Sequence, residues 1–207
     1  MEMASGYSAM VCALFIGKRK HVPENRNNVP FILLGTSIIW FGWFGFNAGG
    51  ALSSLGLVGQ IFVTTNSAAA GAMITWLLWE FMRDLPPSVE GSCHGIVVGL
   101  VAITPGCAFV TVQASFFIGC TAIMVCIFVK SYVLERISQH LDDSLDVLEV
   151  HGVAGTVGVI FTGIFCSPLV DGECGSVWTQ LLGMTCLNTS IVTDTRNFNF
   201  VSQFRFH

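Results

Sequence analysis

The stretch VPFILLGTSIIWFGWFGFNAGGAL, residues 29–52, decides the fold class, because it runs for 24 residues without a charged side chain. A helix rises about 1.5 Å per residue, so it needs about 20 apolar residues to cross a hydrocarbon core about 30 Å thick. The stretch shows no alternation of apolar and polar residues, and it is too long for a barrel strand. Because hydrocarbon offers no water to backbone N–H and C=O groups, we predict a transmembrane helix here.

Five further apolar segments accompany this stretch, at residues 4–17, 57–82, 95–110, 115–133 and 147–169. The first of them is short for a complete span. Over the whole chain 53% of the residues are hydrophobic and only 11% are charged, whereas soluble domains carry about 25% charged residues. We therefore expect an all-α, polytopic transmembrane bundle with five full spans and one partial N-terminal span.

The basic residues predict the direction in which each segment crosses. The first connection carries the basic cluster at 18–20, the third carries Arg83, and the fifth carries Lys130 and Arg136. The second and fourth connections carry no Lys or Arg. Because cytoplasmic loops are enriched in basic residues, the odd connections are predicted to lie in the cytoplasm and the N-terminus outside.

Composition and spacing also argue against several other classes. The basic cluster follows the first apolar segment instead of preceding it, which is the reverse of a secretory signal. The net charge of −4 and the scattered basic residues do not form a nucleic-acid-binding face. No CxxC or CxxH pair occurs, so we expect no metal site and no cofactor. A bridge between Cys166 and Cys174 is conceivable, but we expect two free thiols.

Polar residues within apolar segments are costly, so they are candidates for function. His151 follows a run of acidic residues and opens a glycine-rich segment; its spacing fits a pore residue and an interfacial residue equally well. Asp146 is a natural N-cap or first-turn acid for that segment, with a structural role. Trp43 lies near the middle of its segment, which favours a packed or pore-lining position over the membrane interface.

Three motifs resemble those of a known family. FGWFGFNAG at 41–49 resembles the sixth helix of the ammonium transporter family, which includes the Amt, Mep and Rh proteins. GLVAITPG at 99–106 resembles its eighth helix, and DVLEVHGVAG at 146–155, followed by IFTG at 160–163, resembles the start of its tenth. The likeness is closest to Amt and Mep members and runs from roughly the end of helix five to helix ten. Residues 1–170 would form a partial membrane domain, and 171–207 a polar and aromatic tail without this resemblance.

The resemblance implies a homotrimer in which each subunit has its own narrow, apolar pore. His151 matches one member of the family's pore pair, and the other position falls on Glu2, where fungal Mep-type members commonly carry Glu. Trp43 matches a vestibule residue and Phe46 a gate-like aromatic position. The apolar lining positions of the family match Ile39 and Val147.

The function that this resemblance implies is transmembrane transport of ammonium or ammonia, with methylammonium as an analogue and deprotonation near the entrance. No enzymatic activity is expected. The family's first four helices and its eleventh are not matched, so we expect an incomplete subunit of a plasma-membrane protein, which assembles as a homotrimer or with full-length subunits. The alternatives are a non-conducting fragment, an ammonium sensor or assembly-only subunit, and an Rh-like neutral gas channel.

Overall fold

The computed structural model describes residues 1–19, 28–50, 56–134, 136, 143, 145–171 and 177–186. Those ranges contain helices and turns, with one isolated β-bridge between Val110 and Cys166 and no strand. The predicted all-α class is therefore confirmed.

Six principal helices make up the bundle. They are α1 (Glu2–Ile16), α2 (Val29–Gly50), α3 (Leu57–Met82), α4 (Val89–Ile103), α5 (Val112–Leu134, π-helical over Lys130–Leu134) and α6 (Leu148–Phe165, π-helical over Leu148–Val153). A short helix α7 (Pro168–Asp171) and a helix α8 at 177–186 follow.

Four helices, α2, α3, α5 and α6, are long and apolar enough to cross a bilayer, with mean hydropathies of 1.7, 1.4, 2.2 and 1.5. Helices α1 and α4 have 15 residues each and are shorter than a full span. The chain is thus a membrane protein in which the described residues form four long spans and two shorter apolar helices, where five full spans and one partial span were predicted.

Helix α4 differs from the predicted segment 95–110 at both ends. It begins at Val89 because the Ser88 hydroxyl accepts a hydrogen bond from the Gly91 N–H and caps the helix. It ends at Ile103 because Pro105 has no N–H with which to continue the helical hydrogen bonds, although Thr104 itself keeps helical geometry, with φ of −49° and ψ of −47°. The turns that follow are tied to α3 by the Thr64 hydroxyl, which donates to the Cys107 carbonyl over 2.7 Å. Non-helical backbone at membrane depth is tolerated where protein covers it in this way.

The core lies between α3, α4 and α5, where helices approach through small residues. A Cβ on Gly119 of α5 would overlap the Ala68 carbonyl of α3, and one on Gly158 of α6 would overlap the Ala102 carbonyl of α4. In lipid the hydrophobic effect does not drive helices together, so close backbone contacts of this kind stabilise the helix packing instead. The glycines of α2 behave differently: no described atom lies within 4 Å of a Cβ built at Gly45 or Gly49.

Helix α2 is the most peripheral of the four long helices. Only 6% of its most apolar stretch is buried among the described residues. Its contacts run mainly to α3 and α4, through Asn47, Trp43 and Trp40. The opposite face is apolar and exposed, with side chains such as Phe31, Ile38 and Phe41.

At the end of the bundle that the basic residues predict to be outer, the α4–α5 connection contacts the end of α6. Val110 and Cys166 form the β-bridge, and the Ser167 N–H donates to the Phe109 carbonyl over 2.9 Å. Cys166 is disulfide-bonded, so the expected free thiol is wrong for this residue; Cys174 lies outside the described residues. A disulfide suits the outer face that the basic residues predict, because such bonds persist in oxidising compartments.

At the opposite end, the start of α6 is capped by an acid other than the predicted one. Asp143 accepts hydrogen bonds from the N–H groups of Val147 and Leu148, at 3.0 and 2.7 Å. Asp146 has a left-handed backbone, with φ of 54°, and its carboxylate instead accepts from Lys130 Nζ at 2.7 Å. The capping side chain is therefore Asp143 and not Asp146, because the turn points the Asp146 side chain toward α5.

Candidate substrate passage

The structure places Glu2 and His151 in direct contact, although 149 residues separate them. Glu2 is the first residue of α1, and His151 lies in the π-helical first turn of α6. The Glu2 Oε2 and His151 Nδ1 atoms are 2.7 Å apart, with the side chains 11% and 26% exposed. A half-buried hydrogen bond between two ionisable groups thus lies within the helical bundle.

Glycine allows the two helices to bring this pair together. A Cβ on Gly6 of α1 would overlap the Gly152 backbone, and one on Gly155 would lie 2.8 Å from the Met3 nitrogen. One turn further along, the Tyr7 and Thr156 hydroxyls share a hydrogen bond of 3.2 Å. Backbone contact through glycine on both helices therefore sets the separation across which Glu2 reaches His151.

The chemistry of the pair assigns its protons. An ionised carboxylate only accepts hydrogen bonds, so His151 donates its Nδ1–H to Glu2. In a neutral ring Nε2 then carries a lone pair and can accept an N–H from a small molecule. The pair can therefore offer an acceptor to a passing donor without carrying a full positive charge.

An aromatic group lies toward the outer side of the same bundle. Trp43 donates its indole N–H to the Thr104 hydroxyl over 2.9 Å, and its ring lies 5.2 Å from the Phe46 ring at 52°. Phe46 borders a cavity of about 390 Å³ together with Asn47. The other lining residues of this outer cavity are Met1, Gly50, Thr104, Cys107, Ala108 and Phe109.

A second, smaller cavity of about 190 Å³ adjoins Glu2. Met1 and Thr104 border both cavities, so the outer cavity and the Glu2 side of the bundle share a wall. Helix α8 contributes Gln180 and Met184 to the second cavity, and Val177 and Gln180 of that helix lie against Gly163 of α6. The two cavities therefore adjoin each other between the aromatic group and Glu2.

The two remaining predicted lining residues, Ile39 and Val147, do not lie beside the aromatic group or the cavities. Ile39 is exposed on α2, and Val147 lies one turn before His151 with its N–H bonded to Asp143. Neither residue borders the two cavities described above. Among the described residues no group of three or more His, Cys, Asp or Glu side chains could hold a metal ion.

Sequence reasoning missed two buried polar contacts. The Asn47 amide donates to the Thr65 hydroxyl over 3.0 Å, while its buried Oδ1 has no partner within the described part of the chain. Glu149 is fully buried and pairs with His94 of α4 over 3.1 Å. The signal for both was their position in apolar segments, but their partners lie on other helices and spacing does not reveal them.

These features define a class of protein. Long apolar helices that surround an aromatic-lined cavity and a His–carboxylate pair are typical of polytopic membrane proteins with a polar site inside the bundle. A family model described as Ammonium Transporter Family matches residues 1–200. The chain belongs to the ammonium transporter family.

Individual relatives agree with this assignment. An ammonium transporter of Aquifex aeolicus is 41% identical over 178 residues, which cover 86% of this chain and 42% of the relative. The crystal structure of Saccharomyces cerevisiae Mep2 matches with a TM-score of 0.82 at 31% identity, over 94% of this chain and 47% of that one. A solved sensor Amt protein matches with a TM-score of 0.82 at 29% identity, over 99% and 53%. The chain thus spans about half the length of the relatives it matches.

Proposed function

We propose that this chain forms one part of a transmembrane conduit for ammonium, which crosses largely as ammonia. The observation that carries the proposal is the 2.7 Å Glu2–His151 hydrogen bond between the starts of α1 and α6. The names of the relatives, which are ammonium transporters, support ammonium as the substrate. Transport changes no covalent bond between heavy atoms, so we propose no enzymatic activity and no cofactor.

The entrance of the proposed path is the outer cavity beside Phe46 and Trp43. Aromatic faces attract small cations with about 0.5–2 kcal/mol, depending on desolvation. Potassium would gain the same attraction, so attraction at the entrance does not distinguish the two ions. Selectivity for ammonium over potassium must arise further along the path, because ammonium can lose a proton there and potassium cannot.

The interior of the path favours a neutral molecule. Moving an isolated ion into a low-dielectric interior costs many kcal/mol, whereas a small molecule that forms hydrogen bonds costs far less. His151 Nε2 can accept an N–H of ammonia, while Nδ1–H stays bonded to Glu2. Loss of the proton near the entrance followed by passage beside His151 is therefore the mechanism that fits the arrangement.

The assembly that we propose is a homotrimer, or a mixed assembly with full-length subunits, in the plasma membrane. An apolar passage must be enclosed, because lipid cannot satisfy an exposed polar path. The exposed apolar face of α2 and the open side of the outer cavity are where further helices would complete the enclosure.

The test is uptake of labelled methylammonium by yeast that lacks its own ammonium transporters. We expect saturable uptake when the chain is joined to the N-terminal half of a full-length relative, and background uptake when the chain is expressed alone. Surface amounts are matched by quantitative labelling. Absence of uptake by the joined protein at normal surface amount would reject transport as the function.

A second candidate function is ammonium sensing without conduction, because the sensor Amt protein has the same fold over nearly the whole chain. The two functions differ in one measurement. A sensor would bind methylammonium, as followed by a change in tryptophan fluorescence that is lost in Trp43→Phe, but would pass no labelled substrate into sealed vesicles.

A further inference from the structure

A buried charge cluster lies behind the Glu2–His151 pair. Glu149 is 0% exposed, and its Oε1 accepts a hydrogen bond from His94 Nε2 over 3.1 Å. Its Oε2 lies 3.3 Å from Lys130 Nζ, close enough for an ion pair, although it is not aligned as a hydrogen bond. The Lys130 ammonium also binds Asp146 at 2.7 Å, so the cluster ends at the half-exposed edge of the bundle.

The cluster joins three helices at one carboxylate. His94 belongs to α4, Lys130 to α5 and Glu149 to α6. A buried carboxylate is expensive unless it is paired on several sides, and removal of one partner is strongly destabilising. Glu149 therefore has few alternative positions, and the turn that carries it is held against α4 and α5.

That turn is the π-helical segment Leu148–Val153, which also carries His151. A π-helical turn is rare and occurs mostly as a short bulge at functional sites. Glu149 and His151 are two residues apart, so their side chains leave the helix on roughly opposite sides. Glu149 points to α4 and α5, whereas His151 points to Glu2 of α1.

The α1 side of the turn is fixed by backbone contact. Gly6 of α1 is so close to Gly152 that a Cβ on Gly6 would overlap the Gly152 nitrogen. The turn is thus clamped between a glycine contact on one side and the Glu149 carboxylate on the other. A rotation that freed Glu149 would also swing His151 away from Glu2.

We infer that Glu149, held by His94 and Lys130, is a positioning residue that fixes the π-helical turn and so directs His151 Nδ1 onto Glu2. The inference rests on the proposed function only in that His151 is taken as the pore residue. The positioning itself concerns a hydrogen bond that can be measured without transport.

The test is NMR of the full 207-residue chain in lipid nanodiscs, with isotope-labelled histidine. The hydrogen-bonded Nδ1–H signal of His151 is assigned by its disappearance in His151→Gln. We expect Glu149→Ala to abolish that signal and His94→Ala to weaken it. The matched control is Glu80→Ala: Glu80 is also a buried carboxylate, but it accepts from the Ser88 N–H and hydroxyl, away from α6. The control should keep the His151 signal.

The outcomes separate positioning from general destabilisation. Retention of the signal in folded Glu149→Ala, or equal loss in the Glu80 control, overturns the inference. If Glu149→Ala does not fold, Glu149→Gln decides, because the neutral amide lacks the negative charge that pairs with the Lys130 ammonium and ties the turn to α5. An unchanged His151 signal in folded Glu149→Gln then overturns the inference. If the signal depends on Glu149 while His151→Ala transports normally, the positioning stands and the proposed function fails.

Discussion

His151 is the single residue on which the proposed function depends most directly. Its Nδ1 is hydrogen-bonded to the Glu2 carboxylate over 2.7 Å, and its side chain is 26% exposed. An interfacial histidine would have no need of a carboxylate partner on another helix. The contact makes the functional interpretation testable with one substitution.

In the protein joined to the N-terminal half of a relative, we expect His151→Ala to reduce methylammonium uptake to background while the surface amount is kept. The free energy of unfolding should fall by about 1–3 kcal/mol, because Glu2, whose side chain is only 11% exposed, loses this hydrogen-bond partner. His151→Glu should retain some uptake, since an acid already serves at the partner position. Uptake is measured against surface amount; wild-type uptake by the alanine variant would show that His151 lies outside the pathway.

At the scale of one residue, the resemblance singled out Glu2 and His151 as a pair. The structure brings them into contact, and their role in a pore stays a prediction. Sequence reasoning misplaced the helix cap by three residues. Acids at 143 and 146 both suit the start of a helix, and only the positive φ of Asp146 decides which one faces the free N–H groups.

The start of α6 gives a prediction at the scale of an element. Asp143→Ala removes the acceptor of two backbone N–H groups and should destabilise the protein by about 0.5–2 kcal/mol. Asp146→Asn weakens only a half-exposed ion pair, worth about 0–1 kcal/mol, because asparagine tolerates the left-handed backbone at this position. Thermal unfolding in detergent, followed by circular dichroism, measures both. A larger loss for Asp146→Asn than for Asp143→Ala would contradict the capping assignment.

Helix packing gives a second prediction at this scale, with a matched pair of glycines. Gly119→Ala should destabilise the bundle by about 1–3 kcal/mol, because its Cβ would overlap the Ala68 carbonyl. Gly45→Ala meets no described atom within 4 Å, so it should be neutral or slightly stabilising through its better helix propensity. The comparison uses unfolding of the purified chain in detergent; equal effects would mean that α3 and α5 are not in close contact.

The elements themselves were largely predictable, since long apolar runs in lipid have to be helices. The exception is α4, where an apolar run continues beyond the helix to Val110. Hydropathy does not register that Pro105 interrupts the helix, nor that Thr64 and Gln60 of α3 bond the carbonyls of the following turns.

For the whole molecule, the arrangement of helix ends predicts which sites face each side of the membrane. In a background in which the exposed Cys12 and Cys186 are replaced by alanine, Gln113→Cys should react with an impermeant maleimide from outside. Glu90→Cys, beside the inner end of α4, should react only after the membrane is opened. Labelling of both from the same side would overturn the topology.

The disulfide at Cys166 provides an independent check of the same topology. An impermeant reductant added outside intact cells should expose a new reactive thiol at Cys166, without opening the membrane. A thiol that appears only after permeabilisation would place this end of α6 in the cytoplasm.

Long-range ionic contacts are the part of the whole molecule that sequence could not give. The family and the fold follow from local motifs, each contained in a short stretch of the chain. The Glu149 cluster instead joins residues of three helices, with His94 55 positions away from Glu149. Only the folded bundle brings a histidine from one apolar segment to an acid at the edge of another.

The π-helical turn of α6 has a consequence for how the gene can change. Its hydrogen bonds span five residues instead of four, so it holds one residue more than a regular helix needs. Loss of a single codon between 148 and 153 would let the turn relax into an uninterrupted α-helix. The extra residue is removed together with the bulge, so the segments before and after it would keep nearly the same orientation to each other. A single-codon deletion in a regular helix rotates one side by about 100° relative to the other. Here it would instead leave the flanking segments in place and rebuild only the turn that carries Glu149 and His151.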